Sequence, residues 1–285
     1  NYNIDLTDKN ATATIFKEHK DITGIIHFAA FKAVGESVEQ PLMYYQNNLF
    51  SLIHLLELAV EHQVKHFIFS SSCTVYGNPD HIPVTEQTAL QPAASPYGAT
   101  KQMGETIVKD TAFTHPLSTI LLRYFNPVGA HPSTAIGELP IGRPQNLVPA
   151  ITQTAIGKLD KMMVHGADYD TRDGSCIRDY IHVCDIAHAH TLALQFSIKE
   201  NKNNSCEVFN LGTGNGITVL EAIKAFEKVS GVALNYAIGP RRAGDIVAIY
   251  ANNDYAKTKL GWNPKYDLDA MMKTAWDWEL AIAKK

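Results

Sequence analysis

The run Gly24–Ala30, which reads GIIHFAA, is the first of three short segments that indicate the fold. Its length and continuous hydrophobicity are typical of a strand that is buried on both faces of a sheet. The runs Val64–Ser70 and Ser118–Tyr124 repeat this pattern further along the chain. Two stretches with apolar residues at helical spacing, about 40–62 and about 96–112, separate the three runs. This alternation predicts an α/β fold built on a doubly wound parallel sheet.

The chain after Asn126 is predicted to be irregular, because five prolines and several glycines occur before residue 150. Among short strands, further helices are predicted at about 186–197, 219–229 and 268–283. We therefore expect two domains, with residues 1–126 forming the sheet domain and residues 127–285 mainly a smaller mixed α/β domain. A segment near 175–197 is expected to return to the first domain.

The composition is that of a folded protein, because 45% of the 285 residues are hydrophobic and 19% are charged. The net charge of 25 − 29 = −4 gives no basic field that would attract nucleic acid or an anionic membrane. No apolar run approaches the roughly 18 residues that a membrane-spanning helix needs. The four cysteines are widely spaced and form no CxxC pair, which favours a reducing, cytoplasmic compartment.

Two further patterns suggest ligands at first sight, and neither leads to a predicted site. Cys184 and His188 lie four residues apart on a predicted helix, but no second ligand pair follows at the spacing of a zinc site, so no metal is expected. Gly212–Gly216 reads GTGNG, which is not the G-x-G-x-x-G spacing of a dinucleotide-binding turn. Thr218 and Glu221 predict a capping box, so the glycines are interpreted as a tight turn into the next helix.

The chemistry of the chain is indicated by Tyr97 and Lys101. Positions four apart share one face of a helix, so a phenol and an ammonium group lie side by side. A nearby positive charge favours the phenolate and is expected to lower the Tyr97 pKa from about 10, which gives a general base near neutral pH. The serines at 70–72 end the preceding strand, at the edge where parallel sheets bind ligands. Together these residues predict a catalytic site.

Several longer stretches resemble a known family, the extended short-chain dehydrogenase/reductases, and within it the enzymes that epimerise nucleotide sugars. The Tyr-x-x-x-Lys pattern alone is shared by the whole superfamily. The more specific stretches are Lys32–Ser37 (KAVGES), Arg123–Pro132 (RYFNPVGAHP) and Arg178–Val183 (RDYIHV). The likeness also includes His27–Phe31, Ser70–Gly77 (SSSCTVYG), Ser95–Gly98 (SPYG) and Pro240–Asp245 (PRRAGD).

The resemblance implies a Rossmann-type NAD-binding domain, a UDP-sugar-binding domain, and the interconversion of UDP-glucose and UDP-galactose. The reaction would proceed by transient oxidation at C4 of the sugar, rotation of the 4-keto intermediate and return of the hydride, with NAD as a bound cofactor. Tyr97 would take the proton of the 4-hydroxyl group, and Lys101 would hold the nicotinamide ribose. Ser72 and Thr74 would hydrogen-bond the 4-oxygen.

The resemblance also implies which residues bind the two ligands. Those expected to contact NAD are Asp5, Leu6, Phe28, Ala29, Ala30, Lys32, Asn47, Ser70, Tyr97, Lys101 and Tyr124. Those expected to contact the UDP-sugar are Ser72, Phe125, Asn126, Asn146, Leu147, Arg178, Arg242, Asp245 and Ile249. Arg178 and Arg242 would hold the diphosphate, since a guanidinium fork matches phosphate oxygens, and Asp245 would hold the uridine ribose.

Two expectations concern the substrate range and the assembly. Ile249 stands where many family members have a tyrosine beside the sugar. A branched aliphatic side chain there leaves more room near C2, so N-acetylhexosamine nucleotides are expected to be tolerated. In the family, helices matching those near 40–62 and 96–112 form a four-helix contact, so the resemblance implies a homodimer.

Two alternatives stay open. Another nucleotide-sugar epimerase or a 4,6-dehydratase would share most of these motifs, although a dehydratase needs acid and base carboxylates where this chain has Ser72-Cys73-Thr74. A non-catalytic protein that binds NAD or a nucleotide sugar belongs to a different class. The intact residues Tyr97, Lys101 and Ser72 argue against it.

The start of the chain departs from the family pattern. Family members begin with a strand, a glycine-rich turn and a helix that hold the NAD pyrophosphate, and no such motif precedes Ile25. Asn3–Leu6 resembles the end of the third strand of that fold, so the sheet is expected to be open beside the run Gly24–Ala30. Either the chain is a piece of a longer protein or it is a damaged protein that does not bind NAD, and we expect the first.

Overall fold

The computed structural model describes residues 1–140, 142–242 and 245–284. The helices are α1 Lys9–Glu18, α2 Val34–Glu39, α3 Pro41–Glu61, α4 Pro96–Thr114, α5 Leu147–Ala155, α6 Val183–Glu200, α7 Val219–Ser230, α8 Asp254–Leu260 and α9 Leu268–Ala283. The strands are β1 Gly24–His27, β2 His66–Ser72, β3 Ser118–Tyr124, β4 Asn126–Val128, β5 Met162–His165, β6 Ile177–Arg178, β7 Tyr180–His182, β8 Ser205–Leu211, β9 Ile217–Thr218, β10 Tyr236–Gly239 and β11 Ala248–Ile249.

The centre of the molecule is a sheet of four parallel strands in the order β1-β2-β3-β8. Alternate side chains of β2 enter different cores: Phe67 and Phe69 pack with apolar residues of α3 and α4, whereas Ile68 packs with α6 and α8. Helices therefore cover both faces, which explains why β2 is buried along its whole length and β3 at every residue but its last. The predicted α/β class with a parallel sheet is confirmed.

The edge strand β1 is shorter than predicted, because it ends at His27 and not at Ala30. Its pairing with β2 stops where His27 lies opposite Phe69. Beyond that point the Asn48 side chain accepts a 2.7 Å hydrogen bond from the Phe31 backbone N–H and donates one of 3.0 Å to the Phe31 carbonyl. A side-chain amide thus replaces the ladder that a longer strand would need.

Helix starts follow the local signals in the sequence. Ser95 accepts a 3.1 Å hydrogen bond from Gly98 N, which begins α4. The predicted capping box at the start of α7 is confirmed, because Thr218 and Glu221 each accept a hydrogen bond from the other's backbone N–H. Gly214, in the GTGNG stretch before it, has a φ of +80°, a conformation that glycine adopts without strain.

The second half of the chain has a core of its own and also packs on the central sheet. Its core lies between α5, α7 and α9 and includes Ile151, Phe226, Met272 and Trp276. Strand β8, by contrast, pairs with β3, and α6 packs against β2 and β3. The domain boundary at residue 126 stays a prediction. Within the described ranges, no helix is long and apolar enough to cross a lipid bilayer.

Candidate active site

Helix α4 carries Tyr97 and Lys101 to the edge of the sheet at which β2 ends. Both side chains are buried, with exposed fractions of 8% for Tyr97 and 5% for Lys101. The Lys101 ammonium donates a 2.8 Å hydrogen bond to the Ser70 carbonyl, and its nitrogen lies 5.9 Å from the centre of the Tyr97 ring. The structure therefore brings the predicted phenol and ammonium together beside the serine-rich end of β2.

Ser72 and Thr74 lie where β2 passes into a 3₁₀ turn at Cys73–Tyr76. The Ser72 hydroxyl accepts a 3.2 Å hydrogen bond from Thr74 N, which fixes the start of this turn. The Thr74 hydroxyl is buried and, among the residues that the structure describes, has no hydrogen-bond partner. Since an unsatisfied buried hydroxyl is costly, Thr74 Oγ1 marks a point at which a bound group would complete the hydrogen bonding.

Burial governs the ionisation of Tyr97 and Lys101. Loss of hydration raises the pKa of Tyr97 above its ordinary value, the neighbouring Tyr124 adds to the rise, and the Ser72 hydroxyl opposes it. The predicted lowering of the Tyr97 pKa by Lys101 is therefore wrong for this structure. Burial also lowers the pKa of Lys101 to about 8, and the ammonium is directed at the Ser70 carbonyl instead of the phenol.

Ser70 and Tyr124 lie beside His190, a residue to which the sequence assigned no role. His190 Nδ1 is 2.9 Å from the Ile186 carbonyl, which can only accept, so Nδ1 carries the proton. His190 Nε2 then accepts the hydrogen bond from Ser70 Oγ at 2.9 Å. Burial lowers the pKa of His190 to about 4, so the ring is neutral at physiological pH.

The remaining residues expected to contact the cofactor are spread over three segments. Phe28, Ala29, Ala30 and Lys32 follow β1, and the half-exposed Phe28 ring lies 4.2 Å from the His190 ring. Asp5 and Leu6 precede α1, where Asp5 Oδ1 accepts two 2.8 Å hydrogen bonds from Thr7. Asn47 lies on α3 and donates to Asn48 Oδ1 at 2.9 Å. Within the described ranges, no hydrogen bond joins Asp5 or Asn47 to the catalytic pair.

The three charged residues expected to hold the nucleotide form one cluster. Arg178 on β6 donates to the carbonyls of Ile177 and Ile246, at 2.8 Å and 2.7 Å. Its other terminal nitrogen lies 3.7 Å from Asp245 Oδ1. Arg242 donates to the same Asp245 oxygen at 2.7 Å. Two guanidinium groups thus meet one carboxylate, which leaves this cluster with a net positive charge.

A small apolar cluster joins the sugar-side residues to the end of β2. Phe125 and Ile249 are both 3% exposed and pack with Cys73 and Val75 of the 3₁₀ turn. Ile249 lies on β11 directly opposite Arg178 on β6. Asn126 begins β4, and its backbone N–H donates to the Asp179 carbonyl at 2.9 Å. The 3₁₀ turn at the end of β2 therefore packs directly against Phe125 and Ile249.

Asn146 and Leu147 lie at the start of α5, in a separate group of contacts. Asn146 Nδ2 donates to Glu138 Oε1 at 2.9 Å, and Lys32 Nζ donates to the same oxygen at 2.8 Å. Glu138 thus connects a residue expected near the cofactor with one expected near the substrate. Sequence reasoning missed Glu138, because nothing in the local pattern pairs positions this far apart.

Sequence reasoning also missed a buried ion pair between Glu105 and Arg123. Glu105 lies eight residues after Tyr97, on the same face of α4, so an acidic residue on that buried face was the available signal.

The site is identified by its side chains and not by the size of a cavity. A cavity of about 350 Å³ lies instead among Tyr180, Thr213, Lys265 and Tyr266, none of which was a predicted site residue.

Comparison with known proteins shows what this arrangement resembles. Residues 2–275 match the family model described as GDP-mannose 4,6 dehydratase. The UDP-glucose 4-epimerase of Yersinia enterocolitica is 49% identical over 279 residues, which cover 98% of this chain and 81% of that protein. The bifunctional UDP-glucose 4-epimerase and UDP-xylose 4-epimerase 1 of Pisum sativum is 47% identical, with 96% of this chain and 78% of that protein covered.

Solved structures agree with the sequence relatives. The UDP-glucose 4-epimerase of Stenotrophomonas maltophila, with bound NAD and formylated UDP-arabinopyranose, has a TM-score of 0.94 at 45% identity, covering 99% of this chain and 82% of that one. The enzyme of Bifidobacterium longum, in complex with NAD⁺ and UDP, has a TM-score of 0.93 at 45% identity, covering 98% and 82%. The chain therefore belongs to the UDP-glucose 4-epimerases of the extended short-chain dehydrogenase/reductase family.

Proposed function

We propose that this chain interconverts UDP-glucose and UDP-galactose with NAD as a bound cofactor. The observation that carries the proposal is the placement of Tyr97 and Lys101, buried side by side on α4 against the serine-rich end of β2. Relatives named for this activity cover nearly the whole chain. Several relatives of known structure hold NAD or a uridine nucleotide, which supports the same two ligands here.

The residues present fit NAD at its nicotinamide ribose. Lys101 supplies a buried ammonium group, and Tyr97 supplies a phenol beside it. Phe28, which follows β1, offers a half-exposed aromatic surface. Lys101 and Tyr97 would hold the ribose, and Phe28 would line the cofactor further along. NAD bound there supplies a hydride acceptor for C4 of the sugar.

Tyr97 acts as the base and then as the acid of the reaction. Its phenolate would take the proton from O4 as C4 is oxidised to the ketone. The phenol would give the proton back to O4 as C4 is reduced from the opposite face. Because burial raises the Tyr97 pKa, the phenolate needs positive charge beside it. Lys101 would be the source of this charge: its pKa is about 8, so it is positive at neutral pH, and its nitrogen lies 5.9 Å from the centre of the phenol ring.

The strand-end hydroxyls orient the sugar. Ser72 and the unpaired hydroxyl of Thr74 would both hydrogen-bond O4, which fixes C4 for hydride loss. Phe125 and Asn126 would contact the ring from the start of the second half. The contacts of Phe125 and Asn126 would have to accept either face of the sugar, because the 4-keto ring turns over between the loss and the return of the hydride.

The charged cluster of Arg178, Arg242 and Asp245 would bind the nucleotide. The two guanidinium groups would take the diphosphate oxygens, and Asp245 would accept from the uridine ribose. Asn146 and Leu147 would contact the substrate from the start of α5. The net positive charge of the cluster supports this assignment.

The substrate range is proposed to include N-acetylhexosamine nucleotides. Ile249 is an aliphatic side chain, 3% exposed, which packs with Phe125 beside the strand-end turn. The expected tolerance rests on the room that a smaller side chain leaves near C2. Comparing turnover of UDP-galactose with that of UDP-N-acetylgalactosamine tests it, and no detectable reaction with the second would overturn it.

The assembly is proposed to be a cytoplasmic homodimer formed through α3 and α4. Large apolar side chains on these helices are exposed, with fractions of 73% for Leu42, 49% for Phe50 and 65% for Phe113. The four free cysteines fit a reducing compartment. Sedimentation equilibrium should give twice the monomer mass, and a monomer at micromolar concentration would overturn the dimer.

The proposed activity is tested by a turnover assay with UDP-galactose on a preparation whose bound nicotinamide is measured. We expect UDP-glucose to form without added NAD, at a rate proportional to the bound nicotinamide. Nicotinamide-containing protein that forms no UDP-glucose would overturn the proposal.

A further inference from the structure

Glu105 and Arg123 form an ion pair that is almost completely excluded from water. Their side chains are 1% and 3% exposed. Arg123 Nε donates to Glu105 Oε1 at 2.7 Å, and one terminal nitrogen donates to Oε2 at 2.6 Å, a bidentate arrangement. Ser71 Oγ donates to Oε1 at 2.7 Å. One carboxylate therefore joins α4, β2 and β3.

Stability alone does not explain such a pair. Removing two charges from water offsets most of their attraction, and well-packed apolar residues of similar size are often as stabilising. What a buried pair supplies is geometry, because both partners have to stay together. Arg123 is fixed further by Tyr76, whose hydroxyl accepts from Arg123 at 3.0 Å and donates to Asn210 at 2.6 Å.

The joined elements are those that carry the catalytic groups. On α4, Glu105 follows Lys101 by four positions and Tyr97 by eight, so the three side chains share one face of the helix. On β2, Ser71 lies between Ser70, whose carbonyl accepts from Lys101, and Ser72. The contact between Glu105 and Ser71 thus sets where that face of α4 lies along β2.

We propose that Glu105 is a positioning residue: its carboxylate fixes α4 against the end of β2 and so keeps the catalytic groups of α4 in place relative to Ser72. This role rests on the proposed function. The carboxylate has a second effect, because its negative charge raises the pKa of Lys101 and opposes the lowering by burial.

Apart from Glu105 and the Arg123 guanidinium that pairs with it, the titratable groups around the catalytic pair are neutral. His27 on β1 has a pKa that burial and the Lys101 charge lower to about 3. Burial raises the pKa of Tyr44 on α3 and of Tyr124 on β3. Among the described residues, Glu105 is therefore the charged group that acts on Lys101.

The test compares a double variant with single variants. Glu105→Gln leaves the Arg123 guanidinium buried without a counter-charge, although the Tyr76 hydroxyl still accepts from it, so this variant can fail to fold. Glu105→Met with Arg123→Met removes both charges and keeps the volume, and Ser71→Ala removes one hydrogen bond only. Lys109→Gln is the matched control, because Lys109 contacts Glu105 from the half-exposed side at 3.3 Å.

We expect the double variant to melt cooperatively and bind UDP like the wild type, with a kcat lower by about 10- to 100-fold, since small misplacements of reacting groups have effects of this size. Ser71→Ala should lower kcat by less, and Lys109→Gln should change neither kcat nor KM. A double variant that folds and keeps the wild-type kcat would overturn the positioning role, because a merely structural pair predicts full activity once folding is restored.

A readout without turnover separates this proposal from the proposed function. In an NMR titration of labelled lysine, assigned with Lys101→Arg, wild-type Lys101 should lose its proton near pH 8, and in the double variant at lower pH. Equal pKa values of Lys101 in the wild type and the double variant would contradict the effect of the Glu105 carboxylate on Lys101. If the wild type turned over no UDP-galactose, the proposed function would fail, and this titration would still decide the proposal for Glu105.

Discussion

The catalytic corner (Tyr97, Lys101 and Ser72) and the nucleotide corner (Arg178, Arg242 and Asp245) are built differently. The first is buried and lies on long regular elements, the seven-residue strand β2 and the 19-residue helix α4. The second lies on the two-residue strand β6 and the loop that precedes β11, and the Arg242 side chain is 55% exposed. Proton and hydride transfer need fixed distances, whereas diphosphate binding needs charge that a ligand can reach.

The difference predicts different consequences of mutation. Changes in the catalytic corner should alter kcat and stability, because the groups there are desolvated and tightly packed. A change at Arg242 in the nucleotide corner should alter KM and leave stability almost unchanged, because its side chain is 55% exposed and ion pairs of exposed side chains contribute little to folding. Four substitutions, each with its own measurement, test this contrast.

Tyr97→Phe should lower kcat by about 10²- to 10⁴-fold, because the base is lost. Binding of UDP should stay within a factor of about two, since the phenol lies in the catalytic corner. Steady-state kinetics and calorimetry measure the two effects, and Tyr45→Phe on α3 is the control. Near-normal turnover of Tyr97→Phe would show that Tyr97 is not the catalytic base.

Arg242→Ala should raise KM for UDP-galactose by about 10- to 100-fold, because a charge-assisted phosphate contact is lost. The kcat and the melting temperature should change little. Arg241→Ala is the matched control, because Arg241 pairs with Asp168 at 2.8 Å and was assigned no ligand. Equal KM effects of the two variants would contradict the assignment of Arg242.

Gly104→Ala should destabilise the protein by about 1–3 kcal/mol, because a Cβ there would lie 2.8 Å from Phe69 Cζ and 3.2 Å from Leu52 Cδ2 in a filled core. Gly35→Ala on α2 meets only Gln145 at 3.8 Å and should be neutral or slightly stabilising. Chemical denaturation of both variants measures the difference. Equal stability would mean that α4 packs less closely on β2 than described.

Lys101→Met should stabilise the protein by about 1–2 kcal/mol at pH 7, because removing the buried ammonium gains more than the loss of its hydrogen bond to the Ser70 carbonyl costs. The Lys101 pKa is about 8 in the folded chain, against an ordinary value of 10.5 for lysine. Between these pH values the folded chain binds fewer protons than the unfolded chain, so wild-type stability rises with pH across this window. The stability that Lys101→Met gains over the wild type is therefore largest below pH 8 and disappears towards pH 10.5. Denaturation curves at pH 7 and pH 10 measure it, and a loss of stability at pH 7 would contradict the pKa.

The sequence predicts the catalytic corner better than the nucleotide corner, for physical reasons. Strand β3 and helix α9 begin and end where the apolar pattern does, and the spacing of Tyr97 and Lys101 on one helix face is a local property. The residues of the nucleotide corner come from separate short segments, and only the family resemblance selects them.

Burial and long-range pairing account for what the sequence does not predict. The direction of the Tyr97 pKa shift depends on how completely the phenol is excluded from water, which spacing does not show. The Glu105–Arg123 pair and the contact of Asn48 with Phe31 join residues 18 and 17 positions apart. They become visible only when the elements are packed together.

The proposed reaction is tested by the fate of the hydrogen at C4 of the sugar. UDP-galactose that carries deuterium at C4 is incubated with the nicotinamide-containing protein in ordinary water, and the UDP-glucose formed is examined by mass spectrometry and NMR. We predict that the product keeps the deuterium at C4, because the hydride that leaves C4 returns to the same carbon. Product without the label, or no product at all, would contradict the account.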